Sequence, residues 1–385
     1  MNTKTRLAPW TATLIAAAVL FCSAVPGTIE TGLAQAAKAA SLPAQLTDKE
    51  FWKLATDSSE EDGVFRFDNL LSNEITFQSV IPELQKVTKP GRVYLGVGPE
   101  QNFTYIVALK PAMAVVFDIR HGNFDVHLMY KALFELSKDR AEFVGLLFSR
   151  KRPAGLTEKS TSSEIFNAYT IADGSKELLE DSMKAIVDHL TKKRGFALSE
   201  GDVDGIRWAL GNFYTFGPGI NYSSSLSANV PPAIVGVSGG RNAGGFNNVD
   251  YAALMMADDG RGQARSYLAS EENFKLLKEM HARNLIVPVV GDFAGDKAIR
   301  AIGKYLKDSG AMVTAFYLSN VERYLTQDGK WDLFCRNAAT LPFDDSSMFI
   351  RSGSGGPNTI NSTGNGVQNS SVAPMPFELK SCLTK

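Results

Sequence analysis

Between Val93 and Asp118 the chain runs through an apolar strand, a Gly-x-Gly turn, a short helix and a second apolar strand that ends in an acid. Val93-Tyr94-Leu95-Gly96-Val97-Gly98-Pro99-Glu100-Gln101-Asn102 holds the first strand and the turn, and Ala114-Val115-Val116-Phe117-Asp118 is the second strand. Two strands joined through a helix lie parallel in one sheet, so the segment restricts the chain to α/β architectures. Glycine at 96 and 98 lets the backbone pass close to a ligand. An acid ending the second strand can accept hydrogen bonds from a ribose. The layout is that of a nucleotide-cofactor cleft.

The same rhythm returns further on. Strands are expected at Leu285–Val290, ending in Gly291-Asp292, at Met312–Leu318, ending in Ser319-Asn320, and at Ser347–Ile350. Helical spacing of apolar residues marks Phe124–Ser137, Ser175–Lys193, Asn273–Arg283 and Asp296–Ser309 between them. Thr47 and Glu50 have capping-box spacing and start a helix. Leu70, Leu71, Ile75, Phe77, Val80, Ile81 and Leu84 predict another over about 67–87, with Asn73 and Glu74 on a face turned to the cleft. Repeated strand–helix–strand units give a doubly wound, mostly parallel α/β sheet. Residues 150–248 interrupt it as a central insertion. Tyr214–Ser225 and the glycine-rich Gly236–Asn248 read as rim loops, and Tyr214 and Tyr222 are candidates for stacking on a ligand. After Arg351 the composition turns to Gly, Ser and Asn, which predicts a flexible tail over 351–385.

The N-terminus carries Lys4 and Arg6, then an apolar run from Thr11 to Val25 broken by Pro26-Gly27. That is a secretory signal, cleaved after Ala24 or after Ala36, and too short to span a bilayer, which takes about 20 residues. The expectation is an exported protein, periplasmic or secreted, not held on a membrane after cleavage, with a single domain over 37–350. A net charge of −1 gives no basic surface for nucleic acid. Oligomeric state is left open. Cys335 and Cys382 remain after cleavage and can form one disulfide in an oxidising compartment or stay as two thiols. With no HExxH and no CxxC, no metal site is expected. Glu200-Gly201-Asp202-Val203-Asp204-Gly205 lacks the twelfth-position Glu of a calcium loop, so a helix cap explains its acids.

With these parts in place, residues 67–350 resemble the class I S-adenosylmethionine-dependent methyltransferase fold. The resemblance implies that the loop Gly96, Val97, Gly98, Pro99, Glu100 and Asn102 wraps the cofactor and that Asp118 binds its ribose. It also implies that Asp292, taken as the residue near the fourth strand's end, faces the transferred methyl. The motif YLGVGPEQN…VVFDIR is also similar to an uncharacterised group of exported bacterial proteins with this fold. Tyr94 stands where the family has an acid, and Glu100 where it has a third glycine. Gln101 replaces the third glycine of the dinucleotide fingerprint, so S-adenosylmethionine is favoured over NAD. The implied partner is a small molecule. Two other readings stay beside this one: a non-catalytic binding or scaffold protein with a degenerate cleft, and a serine hydrolase. The latter would use Ser238 in Gly236-Val237-Ser238-Gly239-Gly240, with Asp258 or Asp259 and His281 as partners.

Overall fold

A computed structural model describes residues 41–65, 68–224, 249–353, 360–361 and 370–384. The expected signal segment and Gly236–Asn248, with Ser238, lie outside them. The centre is a seven-stranded sheet. Its strands in chain order are β1 (Val93–Val97), β2 (Met113–Asp118), β3 (Ile286–Val290), β4 (Val313–Ser319), β5 (Met348–Ser352), β6 (Ile360–Asn361) and β7 (Ser370–Pro374). In space the order is β3-β2-β1-β4-β5-β7-β6. The first five run parallel, and β7 is antiparallel to both β5 and β6. The protein therefore has a doubly wound, mostly parallel, Rossmann-like α/β fold. The direction of strand addition reverses between β1 and β4, which is where such sheets open a crevice.

The strands are apolar on both faces, and nearly every residue of β2, β3 and β4 is buried, as parallel strands covered on both sides must be. Helix α1 (Asp48–Ser58) begins with the Thr47–Glu50 capping box. Next come α2 (Ile81–Val87), α3 (Gln101–Leu109), α4 (His121–Leu136) and α5 (Arg140–Leu147). The long connection from β2 to β3 also holds α6 (Ser162–Thr170), α7 (Lys176–Asp188), α8 (Glu200–Phe216), α9 (Tyr251–Met256) and α10 (Glu271–Ala282). These pack around Phe103, Tyr130, Phe134, Phe143 and Tyr267, a ring cluster with centroids 4.6–6.4 Å apart. Helices α11 (Ala298–Asp308), α12 (Val321–Gln327) and α13 (Trp331–Ala338) complete the parallel half, and α14 (Met375–Leu383) follows β7. Among the described residues no helix is long and apolar enough to cross a membrane.

Three sequence expectations are corrected. Residues 68–76 are not helical. The helical pattern begins only with a 3-10 turn at Phe77–Val80 and α2, whose first turn carries Pro82. Upstream, the Ser72 hydroxyl accepts from Glu74 N at 3.1 Å, a local turn that competes with helix hydrogen bonding. Tyr214 is not in a loop: α8 continues to Phe216 and stops at Gly217, whose φ is +56°. Finally, residues 370–383 of the expected flexible tail are strand β7 and helix α14. Val372, Ala373, Met375 and Leu379 are buried, and Cys382 forms a disulfide with Cys335 of α13 at a Cα separation of 6.2 Å. Those apolar residues were outweighed in the sequence by the Gly/Ser/Asn-rich stretch before them.

Candidate functional site

A cavity of about 310 Å³ lies beyond the C-terminal ends of β1, β2, β3 and β4, around the β1/β4 switch. It is at the low end of small-molecule sites, and polar and apolar side chains share its wall. The floor is the β1–α3 turn, through Val97, Gly98, Pro99 and Gln101. Gly98 has φ +79°, a conformation open to glycine at little cost. Its carbonyl points into the protein and accepts from Asn102 Nδ2 (3.1 Å), Asn123 Nδ2 (3.2 Å) and His127 Nε2 (2.9 Å), while its N–H donates to Phe117 O (2.9 Å). Burial pushes the His127 imidazole down to about 4, so the ring is neutral and donates from Nε2. The turn is thereby held in one shape before any ligand arrives.

The other walls come from the strand ends. Asp118 closes β2 and lines the cavity. Its carboxylate accepts from Arg120 Nε (2.9 Å), Arg120 Nη2 (2.8 Å) and Arg120 N (2.9 Å), so a buried ion pair stands where the sequence suggested a bare acid. A carboxylate has about four lone-pair directions, and one remains for a ligand hydroxyl. Asp292 also lines the cavity, but it follows β3 at the sheet edge beside β2 and not the fourth strand. The position after β4, next to β1, belongs to Ser319 and Asn320. Asp292 is placed by Glu60, whose carboxylate accepts from the backbone N–H of Asp292 (2.9 Å), Lys297 (3.0 Å) and Ala298 (2.8 Å). Lys330 approaches Asp292 Oδ2 at 3.4 Å.

Asn73 and Tyr222 line the cavity, Asn73 from the irregular arch over 68–76 and Tyr222 from beyond α8. Several other expected contacts face elsewhere. Tyr214 packs its ring over Gly174. Asn102 lies under the turn, its amide donating to Val97 O, Gly98 O and Pro99 O and its carbonyl accepting from Tyr94 OH (2.9 Å). Gly96 makes room for that carbonyl and does not reach the cavity. Glu100 turns inward: it is buried, one oxygen accepts a long bond from Ser72 N (3.5 Å), and the other meets no donor among the described residues. Burial pushes its carboxyl up to about 8.

Glu74 is buried one layer behind the wall. It accepts from Gln101 Nε2 (3.1 Å), Tyr317 OH (2.9 Å) and Ser319 Oγ (2.5 Å), and burial raises its pKa. Gln101, Tyr317 and Ser319 all reach the cavity, so Glu74 fixes three wall residues. Ser319 takes φ +50°, a strained conformation for a residue with a side chain, at an irregularity in the β4–β5 pairing. The sequence offered little sign of Arg120, Asn123, His127 or Ser319 in these roles. Only the polar residues just after Asp118 hinted at them. The hydrolase reading finds no support in His281. Its ring is buried against Phe103 and Phe134, and neither nitrogen bonds any described residue.

No curated protein matches the chain. A family model does, described as a domain of unknown function (DUF7790), over residues 70–197 and 249–380. The matched ranges contain the β1–α3 turn, Asp118 and Arg120, Asp292 and Ser319, and they skip the stretch between 197 and 249 that lies within the expected insertion. With more than half of its length matched, the chain belongs to the DUF7790 family.

Proposed function

We propose that this is an exported α/β protein whose cavity binds S-adenosylmethionine or a related nucleoside. The ligand would lie over Val97–Gly98–Pro99 with its ribose hydroxyls on Asp118. The observation that carries the reading is the cavity's position at the strand-order reversal, on a glycine turn locked by three donors to the Gly98 carbonyl. The methyltransferase resemblance supplies the ligand class. The signal-like N-terminus supports export, and the Cys335–Cys382 disulfide suits an oxidising compartment.

Binding, and not turnover, is the activity we assign. Asp118 is already paired with Arg120, Glu100 points away, and no histidine or cysteine is on the described wall. Titration calorimetry of the purified protein with S-adenosylmethionine and S-adenosylhomocysteine tests this. Saturable binding, weakened in Asp118→Asn, is expected. No heat with either ligand at about 1 mM would end the nucleoside reading. Release of S-adenosylhomocysteine in the presence of a methyl acceptor would turn the assignment from binding protein to enzyme.

A further inference from the structure

Beside the cavity, and sharing no wall residue with it, the N-terminal turns of α4 and α8 bring an imidazole and two carboxylates together. His121 and Asp125 are four residues apart and share a face of α4. His121 Nε2 is 2.6 Å from Asp202 Oδ1 and 3.6 Å from Asp125 Oδ1, and all three donor atoms lie within 4.8 Å of one another. Asp202 serves two purposes. Its Oδ2 accepts from Ser199 N at 2.6 Å and caps α8, which leaves Oδ1 for the cluster. Asp125 is held against both: its side chain is 4% exposed, and among the described residues no donor reaches its Oδ1, which faces the other two groups. Gly205 is the reason α8 comes so near, since a Cβ there would sit 2.1 Å from Asp125 Oδ2. Asp62 adds further negative charge, accepting from His121 N at 2.6 Å.

A buried carboxylate oxygen without a donor is costly unless a proton or a cation meets it. The geometry points to a divalent-cation site formed by His121 Nε2, Asp125 Oδ1 and Asp202 Oδ1, with Zn²⁺ the cation of choice. One imidazole nitrogen and two carboxylate oxygens suit zinc, which is four-coordinate in most protein sites. Tetrahedral ligands about 2.1 Å from zinc stand roughly 3.4 Å apart, so the two distances to His121 Nε2, 2.6 and 3.6 Å, need change by less than about 1 Å to meet that geometry. His121 is partly exposed, which gives an ion a route to the cluster from solvent. Calcium, which takes about six to eight oxygens, would be under-coordinated.

The test is calorimetric titration of chelator-treated protein with ZnCl₂, and separately with CaCl₂. A single zinc equivalent should bind and raise the melting temperature. Asp125→Asn and His121→Ala should each weaken zinc binding by at least about tenfold. Asp204→Asn, an exposed acid on the same helix turn, should leave it unchanged. Asp125→Asn keeps the shape of the side chain, and the partly exposed His121 covers the case in which the buried variant does not fold. Absence of zinc binding at about 1 mM, equal affinity in the wild type and both variants, or a preference for calcium would each overturn the site.

Discussion

Asn102 occupies the space that a side chain on Gly96 would need: a Cβ built there would lie 1.8 Å from Asn102 Oδ1. The first glycine of the motif is thus tied to a residue six positions on. Its task is to admit the amide that braces the turn; of the motif's two glycines, Gly98 is the one on the cavity floor. Gly96→Ala must expel Asn102 and forfeit its bonds to Val97 O, Gly98 O and Pro99 O. We expect a loss of about 2–4 kcal/mol in urea denaturation, from overpacking and unpaired carbonyls together. A variant as stable as the wild type would show that the turn can relax without Asn102.

Glu100 makes stability depend on pH. Its folded pKa of about 8 lies above the 4.5 of an unperturbed carboxyl, so the folded state holds the proton more tightly. The favourable contribution is complete below about pH 4.5 and is lost as pH rises towards 8. Tyr130, Tyr251 and Tyr267, the ionisable groups coupled to it across the core, are themselves pushed up by burial and stay neutral in this window. Glu100→Gln should therefore remove a decline of a few kcal/mol between pH 5 and about pH 8. Denaturant midpoints across that range, for both proteins, give the answer. Parallel curves would mean that Glu100 finds a partner or water when folded.

The disulfide ties α14 to α13 across 47 residues of chain. A loop of that length costs the unfolded state about 4 kcal/mol of stability advantage in the chain-entropy account, and engineered cases often deliver less. Reduction, or Cys335→Ser with Cys382→Ser, should lower the denaturation midpoint accordingly. The midpoint should not move if β7 and α14 melt independently of the sheet, and protease sensitivity confined to residues after 352 would reveal that case.

How far the site could be read beforehand follows from how local each interaction is. The Thr47–Glu50 cap, the strand–turn–helix–strand order of β1, α3 and β2, and the acids at the end of β2 and just beyond β3 all depend on residues a few positions apart, and all were legible. Val97, Gly98, Asp118, Asp292, Asn73 and Tyr222 do line the cavity. Glu100, Asn102, Glu74 and Tyr214 do not, because the direction of a side chain at a turn is set by what packs behind it. Glu74 is a clear case: its acceptors are satisfied by Gln101, Tyr317 and Ser319, the last two more than 240 positions away.

What the sequence determined by itself was the architecture: apolar strands separated by helical segments can bury both sheet faces only as parallel strands covered by helices. It also determined where the crevice opens, since the glycine turn and the terminal acid sit at strand ends. The tertiary structure decided the chemistry available there. It paired Asp118 with Arg120 and turned Glu100 into the core. It also brought His121 and Asp125 against Asp202 from a helix some eighty residues on. Charge pairing and desolvation act through space, and no spacing along the chain encodes them.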